Sequence, residues 1–121
     1  MKHHDFTILI PAFNAEKWIA QTLSSLIAQT YKKWQALVIN DGSTDDTLKI
    51  VKSYAGLDKR FLYTSKVNGG TASALNIGVN YFLKKRNGSF LMWLSADDLY
   101  TVDALACHNY FINLNAVRDT E

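Results

Sequence analysis

A chain of 121 residues with 48% hydrophobic and 12% aromatic side chains fits one domain with a real core and excludes disorder. Its 13 basic and 11 acidic residues leave a net charge of +2, too weak a field to argue for nucleic acid or an anionic membrane as a partner. The single cysteine, Cys107, excludes an internal disulfide and a multi-cysteine metal site, suits a reducing compartment, and reads as a small core residue.

In chain order, residues 1–5 form a polar tail, and residues 6–10 a first strand stopped by Pro11, the only proline. Asn14 is placed to cap a helix whose Ile19, Leu23, Leu26 and Ile27 share one apolar stripe, ending near Thr30. Residues 34–40 read as a second buried strand running into DGSTDD. There Ser43 and Asp46 have capping-box spacing ahead of a helix carrying Leu48, Val51 and Ala55. Residues 60–64 make a shorter third strand, after which Gly69 and Gly70 permit positive φ or a close approach to a ligand. The next helix is expected to bury Ala72, Leu75, Val79, Phe82 and Leu83. Lys84, Lys85 and Arg86 then lie near its negative pole, and Asn87 with Gly88 stop it. FLMWLSADDLY, residues 90–100, reads as a fully buried parallel strand ending abruptly in Asp97 and Asp98. A last helix from Thr101 to about Leu114 turns Val102, Leu105 and Ile112 inward.

Four strands alternating with four helices predict an α/β fold with a mainly parallel sheet and helices on both faces. In such a sheet the loops after the strands meet on one rim, where ligands bind. Residues 11–14, 41–43, 68–70 and 95–98 thus become neighbours, a nucleotide-shaped set of groups. Phe13 offers a face for a base, Asp41 an acceptor for a base or ribose, the glycine backbone an approach to phosphate, and Asp97 with Asp98 two ligands for a divalent cation. Each also has a plain structural reading. Phe13 can staple a helix, Asp41, Ser43 and the Asp97–Asp98 pair can cap helix starts, and the glycines can form a turn. Acids at two separate strand ends exceed what capping needs. There is no G-x-G-x-x-G after the first strand and no G-x-x-x-x-G-K-[ST], so dinucleotide dehydrogenases and P-loop enzymes lose their phosphate sites. A receiver domain wants a lysine at a late strand end, and none follows Arg86.

Three stretches together carry a family pattern: TILIPAFNAEKWIAQTLSSLIAQTYKKWQALVINDGSTDDT, then NGGTASALNIGV, then FLMWLSADDLY. From about residue 7 to about residue 105 the chain resembles the N-terminal half of family 2 glycosyltransferases, the inverting family with the GT-A fold, and IPAFN, AQTY, NDGSTDDT and ADD in that order make the resemblance specific. It implies a Rossmann-like three-layer sandwich, here truncated, with residues 6–121 forming the nucleotide-sugar-binding half. It also implies inverting transfer from a nucleotide-diphosphate sugar, usually a UDP-sugar, to a glycan or lipid-linked acceptor. By similarity Pro11, Ala12 and Phe13 line the base pocket with Phe13 against uracil, and Asp41 bonds the base. Asn14, Glu16, Ser43, Gly70, Ala96 and Asp97 complete the nucleotide contacts. Asp97 and Asp98 match the acidic D-x-D region that holds Mn²⁺ or Mg²⁺ on the diphosphate, where the metal serves as Lewis acid and template.

Two positions depart from the family. Ser95 stands where the common form has an acid, leaving the metal to Asp97 and Asp98, and Leu75 stands where many members have an arginine. No residue matches the family's catalytic base, which is expected beyond Glu121 with the acceptor-binding half, so the chain alone is expected to bind donor weakly without transferring sugar. A nucleotidyltransferase lacks support because IPAFNAE is not a glycine-rich basic signature; a non-catalytic scaffold retaining the fold is the other reading. There is no signal-peptide pattern and no apolar run long enough to span a bilayer, so a cytoplasmic setting is expected, at the membrane face in a longer parent. Weak self-association through an open sheet edge is a further expectation.

Overall fold

The computed structural model describes residues 5–85 and 90–119, so the tail at residues 1–4, Arg86 of the basic run and the expected helix stop at Asn87 and Gly88 lie outside the described residues. In order the elements are β1 (Phe6–Ala12), α1 (Ile19–Ile27), β2 (Trp34–Asp41), α2 (Thr47–Leu57), β3 (Phe61–Lys66), α3 (Thr71–Lys85), β4 (Phe90–Trp93) and α4 (Ala104–Asp119). The strands form one sheet in the order β3-β2-β1-β4, every neighbouring pair parallel. This is the expected α/β architecture.

Alternation along β1 and β2 builds two cores. Phe6, Ile8, Ile10 and Ala12 with Trp34, Ala36 and Val38 face Ile19, Leu23 and Leu26 of α1, Val51 of α2 and Leu105 of α4. Leu9, Leu37 and Ile39 face the other way, against Ala74 of α3. Helices therefore cover both faces, which explains why β1 and β2 read as continuous apolar runs. On the α3 face the contact is close: a Cβ on Gly78 would lie 2.7 Å from a Leu9 methyl. That approach rotates the helix from the expected stripe. Ala74 and Gly78 are its buried positions, Leu75 and Val79 pack half-buried beside them, Phe82 is half-buried, and Ala72 and Leu83 are exposed.

Several expectations are corrected by the sheet order. β1 does not stop at Pro11, which pairs with Ile39 inside the strand. Leu94 N–H donates to Leu9 O on the β4 side, so in a parallel ladder the missing N–H of Pro11 also faces β4. The β1–β4 pairing has already ended at Leu9 and Trp93, so nothing there asks for a donor. β4 itself is not fully buried. It has four residues at the sheet edge, with Phe90, Leu91 and Trp93 exposed and Met92 half-buried, because among the described residues it has one strand neighbour and only part of a helix layer. Ile27, Val102 and Cys107 are exposed as well, since α1 ends and α4 begins where the chain turns away from the core. None of the helices among the described residues is long and apolar enough to cross a membrane.

Candidate functional site

The chain runs from β1 outward to β3 and then returns through α3 to place β4 on the other side of β1. The strand order reverses between β1 and β4, and a crevice opens at such a reversal beyond the carboxyl ends of the strands. A cleft of about 240 Å³ lies there, lined by Pro11 and Phe13 from the β1 end, Trp18 before α1, Thr71 at the start of α3, and Trp93, Ser95, Ala96 and Asp97 after β4. A second recess of about 250 Å³ shares Trp93 and Ser95 and adds Asp98, Leu99 and Tyr100. Phe13 is 51% exposed at the mouth, so its ring is available for stacking, whereas Ala12 is buried in the core.

Neither Asp97 nor Asp98 has a side-chain hydrogen bond or ion pair among the described residues. Both are exposed. The turn is closed through backbone alone, with Asp98 N–H donating to Ser95 O at 3.0 Å. Among the described residues no third His, Cys, Asp or Glu gathers with them. Two unpartnered hard carboxylates suit a cation that takes its remaining ligands from phosphate oxygens and water, as Mg²⁺ does. As a donor set the pair supplies two of the expected metal's oxygen ligands, with no third from the described residues. The alternative of helix capping is not what the structure shows, because α4 begins only at Ala104.

Asp41 presents the opposite situation. It ends β2 almost completely buried, and its Oδ1 accepts from Lys66 Nζ at 2.7 Å and Gly69 N–H at 2.9 Å. Its Oδ2 accepts from Gly70 N–H at 2.8 Å and Asn68 Nδ2 at 3.3 Å. The Lys66 hydrogen bond, joined by those of the two amides and outweighing burial, holds its pKa below the usual 3.8. Asp41 therefore folds the loop after β3 onto the end of β2, and Gly70, at φ 94, is the position where that fold needs a left-handed backbone.

Asn14, Glu16 and Ser43 are also engaged with protein groups. Asn14, at φ 47, does not cap α1; the cap position is Trp18, without a side-chain bond. Asn14 N–H instead donates to Ser43 Oγ at 3.0 Å, and its Oδ1 accepts from Thr44 N–H at 2.8 Å. Glu16 Oε2 accepts from Asp46 N–H at 3.1 Å, and Glu16 N–H donates to Asp45 Oδ2 at 3.2 Å. These bonds lace the β1 loop to the β2 loop. The predicted capping box at Ser43 and Asp46 is absent, because Asp46 N–H goes to Glu16 and Ser43 N–H donates to Asn40 Oδ1 at 3.1 Å, while Asp45 Oδ1 takes the Thr47 N–H at 2.9 Å and its hydroxyl at 2.5 Å. Burial pushes the Asp45 pKa up, but the Thr47 hydroxyl and the Thr47 and Glu16 amides outweigh it and the net shift is downward.

The structure thus gathers Pro11, Phe13, Ala96 and Asp97 around one cleft and Asp98 beside it, while Asp41 and Gly70 form a separate node one strand away. Sequence reasoning missed Trp18, Thr71 and Trp93 as cleft walls. The available signal was a tryptophan, Trp18, just ahead of the α1 stripe and another, Trp93, close to the strand-end acids. Leu75, where an arginine is common, packs against the α3-side core.

A family model described as glycosyl transferase family 2 matches residues 7–107. An uncharacterized glycosyltransferase of Rickettsia bellii is 36% identical over 109 residues, which is 90% of this chain but 15% of that protein. The structure of Staphylococcus aureus TarS 1–349 in complex with UDP-GlcNAc superposes with a TM-score of 0.79 at 29% identity, covering 90% of this chain and 31% of TarS 1–349. A mannosyltransferase of Pyrobaculum calidifontis, in complex with GDP-Man and Mn²⁺, shares the fold with a TM-score of 0.72 at 22% identity, covering 92% of this chain and 32% of its own.

Proposed function

The chain belongs to glycosyl transferase family 2, and from that premise we propose that it forms the donor-binding part of an inverting, metal-assisted transferase that uses a UDP-sugar. The observation that carries this is the cleft at the β1–β4 reversal, lined by the open aromatic face of Phe13 and by the unpartnered Asp97, with the unpartnered Asp98 in the recess beside it. TarS, at 29% identity, is known in complex with UDP-GlcNAc, and that likeness supports a uridine nucleotide.

In this reading Phe13 stacks on the base and Pro11 walls the pocket. Asp41 accepts a base N–H only if one of its four donors yields, and Asn68 at 3.3 Å is the longest of these bonds. Asp97 and Asp98 hold a divalent cation together with the donor diphosphate, and that cation, when bound, neutralises charge on the leaving group. Ser95 contributes a hydroxyl where an acid is common, so affinity rests on two carboxylates. No residue of the chain matches the family's base, so deprotonation of the acceptor hydroxyl, and with it a glycan or lipid-linked acceptor, is assigned to a part of the protein outside these residues. We place that protein in the cytoplasm or at the cytoplasmic face of a membrane, consistent with a single free cysteine.

Calorimetric titration of UDP with and without Mn²⁺, on the chain and on Asp98→Asn, tests the proposal. The expected result is binding that strengthens with Mn²⁺ and loses that gain in Asp98→Asn. A folded chain that binds UDP, GDP and dTDP under neither condition overturns it.

A further inference from the structure

The acid-bearing segment leaves the sheet at Leu94, and beyond that point its course is set by a helix instead of a strand. Thr22 and Ser25, three residues apart, share one face of α1, and Gln29, two residues past its end, reaches back to Ser25 O with Nε2 at 3.1 Å. Each makes a hydrogen bond to backbone on that segment. Thr22 Oγ1 donates to Ala96 O at 2.8 Å, Ser25 Oγ accepts from Tyr100 N–H at 3.3 Å, Gln29 Nε2 donates to Thr101 O at 2.6 Å, and Gln29 Oε1 accepts from Leu105 N–H at 3.2 Å. Thr22 and Gln29 are completely buried. The Thr22 bond falls immediately before Asp97, and the Ser25 bond two residues after Asp98.

A surface loop does not need two fully buried polar side chains to reach its own carbonyls, and buried polar groups that are satisfied in this way fix one geometry. We infer that this polar face of α1 sets the position of the Asp97 and Asp98 carboxylates for cation and diphosphate, so that Thr22, Ser25 and Gln29 are positioning residues that touch neither ligand. The inference rests on the metal-dependent donor site proposed above. It accounts for two features together: carboxylates without a side-chain partner of their own, and a turn that still has a defined backbone.

The test uses Thr22→Val, which keeps the branched shape and removes the hydroxyl, and Thr22→Ser, which restores it. UDP is titrated into each chain with and without saturating Mn²⁺, beside a thermal unfolding curve. The Mn²⁺-dependent affinity is expected to fall about tenfold in Thr22→Val, the scale of an outer-shell loss at a metal site, and to return in Thr22→Ser, while metal-free UDP affinity stays near that of the unsubstituted chain. A merely structural role would move both arms together, and that result, or no change in either arm, overturns the inference. Should Thr22→Val fail to fold, Ser25→Ala decides: the same split, in smaller measure, supports the inference, and unchanged Mn²⁺ dependence overturns it. If the unsubstituted chain binds UDP with no Mn²⁺ dependence, the donor-site reading has failed first.

Discussion

Asp41 and the Asp97–Asp98 pair stand at the carboxyl ends of two strands separated only by β1, yet their surroundings are opposites. The Asp41 carboxylate is buried and accepts four hydrogen bonds, one from Lys66 at the end of β3 and three from the loop after it; the other two carboxylates are exposed and accept none from the described side chains or backbone. The difference teaches how one rim divides its labour. An acid whose oxygens are all occupied organises the polypeptide, and an acid whose oxygens are open is available to a ligand.

The largest test of that contrast is stability. Asp41→Ala strands Lys66, whose side chain is 13% exposed, together with the amides of Gly69 and Gly70. Urea unfolding is expected to show a loss of about 3–5 kcal/mol, the cost of removing one partner from a buried pair. Asp97→Ala should stay within about 0.5 kcal/mol. Equal losses would break the contrast.

Next in size are the glycines that the Asp41 node depends on. Gly42 has φ 73, and a Cβ there would lie 2.7 Å from the backbone nitrogen of Asn68, so Gly42→Ala should cost about 1–3 kcal/mol through strain and displacement of that loop. Gly70 has φ 94 but open space around a Cβ, and Gly70→Ala should cost about 1 kcal/mol from backbone strain alone. Denaturant midpoints that rank these two the other way would place the tight contact elsewhere.

A smaller effect is expected in acid. The folded-state pKa of Asp41 is depressed, so its contribution is fully present above the ordinary value of 3.8 and is lost as pH falls through the lower folded value. Asp58, held down first by its hydrogen bond from Arg60, adds to the same limb. Stability measured from pH 6 down should therefore fall below about pH 4, and Asp41→Ala should flatten that fall. The smallest expected effect is that of salt. The Asp41–Lys66 pair is largely shielded from solvent, so raising NaCl to about 0.5 M should shift the unfolding midpoint of the unsubstituted chain little, and a large loss would mean that the pair is solvated after all.

Much of this was legible in the residues. Alternation and turn chemistry located all eight elements, and the strand-end acids pointed to the rim that the reversal between β1 and β4 turns into a cleft. Asp41 shows the limit. Its position at a strand end could be read, but whether its oxygens were free depended on Lys66 at the end of β3 and on Asn68, Gly69 and Gly70 arriving from the loop after it. The same holds for Asn14, read as a helix cap, and Glu16, carried over as a nucleotide contact, whose partners lie about 30 residues away. Thr22 and Gln29 were overlooked because a polar residue beside an apolar stripe looks like solvent-facing surface until the segment after β4 is laid against it.

Short-range periodicity and motifs contiguous in the chain were enough to set the order of strands and helices, the two-sided burial of β1 and β2, and the family. Only the tertiary structure decided that β4 is an exposed edge, that α3 presents Ala74 and Gly78 to the sheet, and that one acid is saturated while two remain open. Those outcomes depend on which distant backbone donor reaches which oxygen and which face finds a neighbour, and local spacing does not encode either.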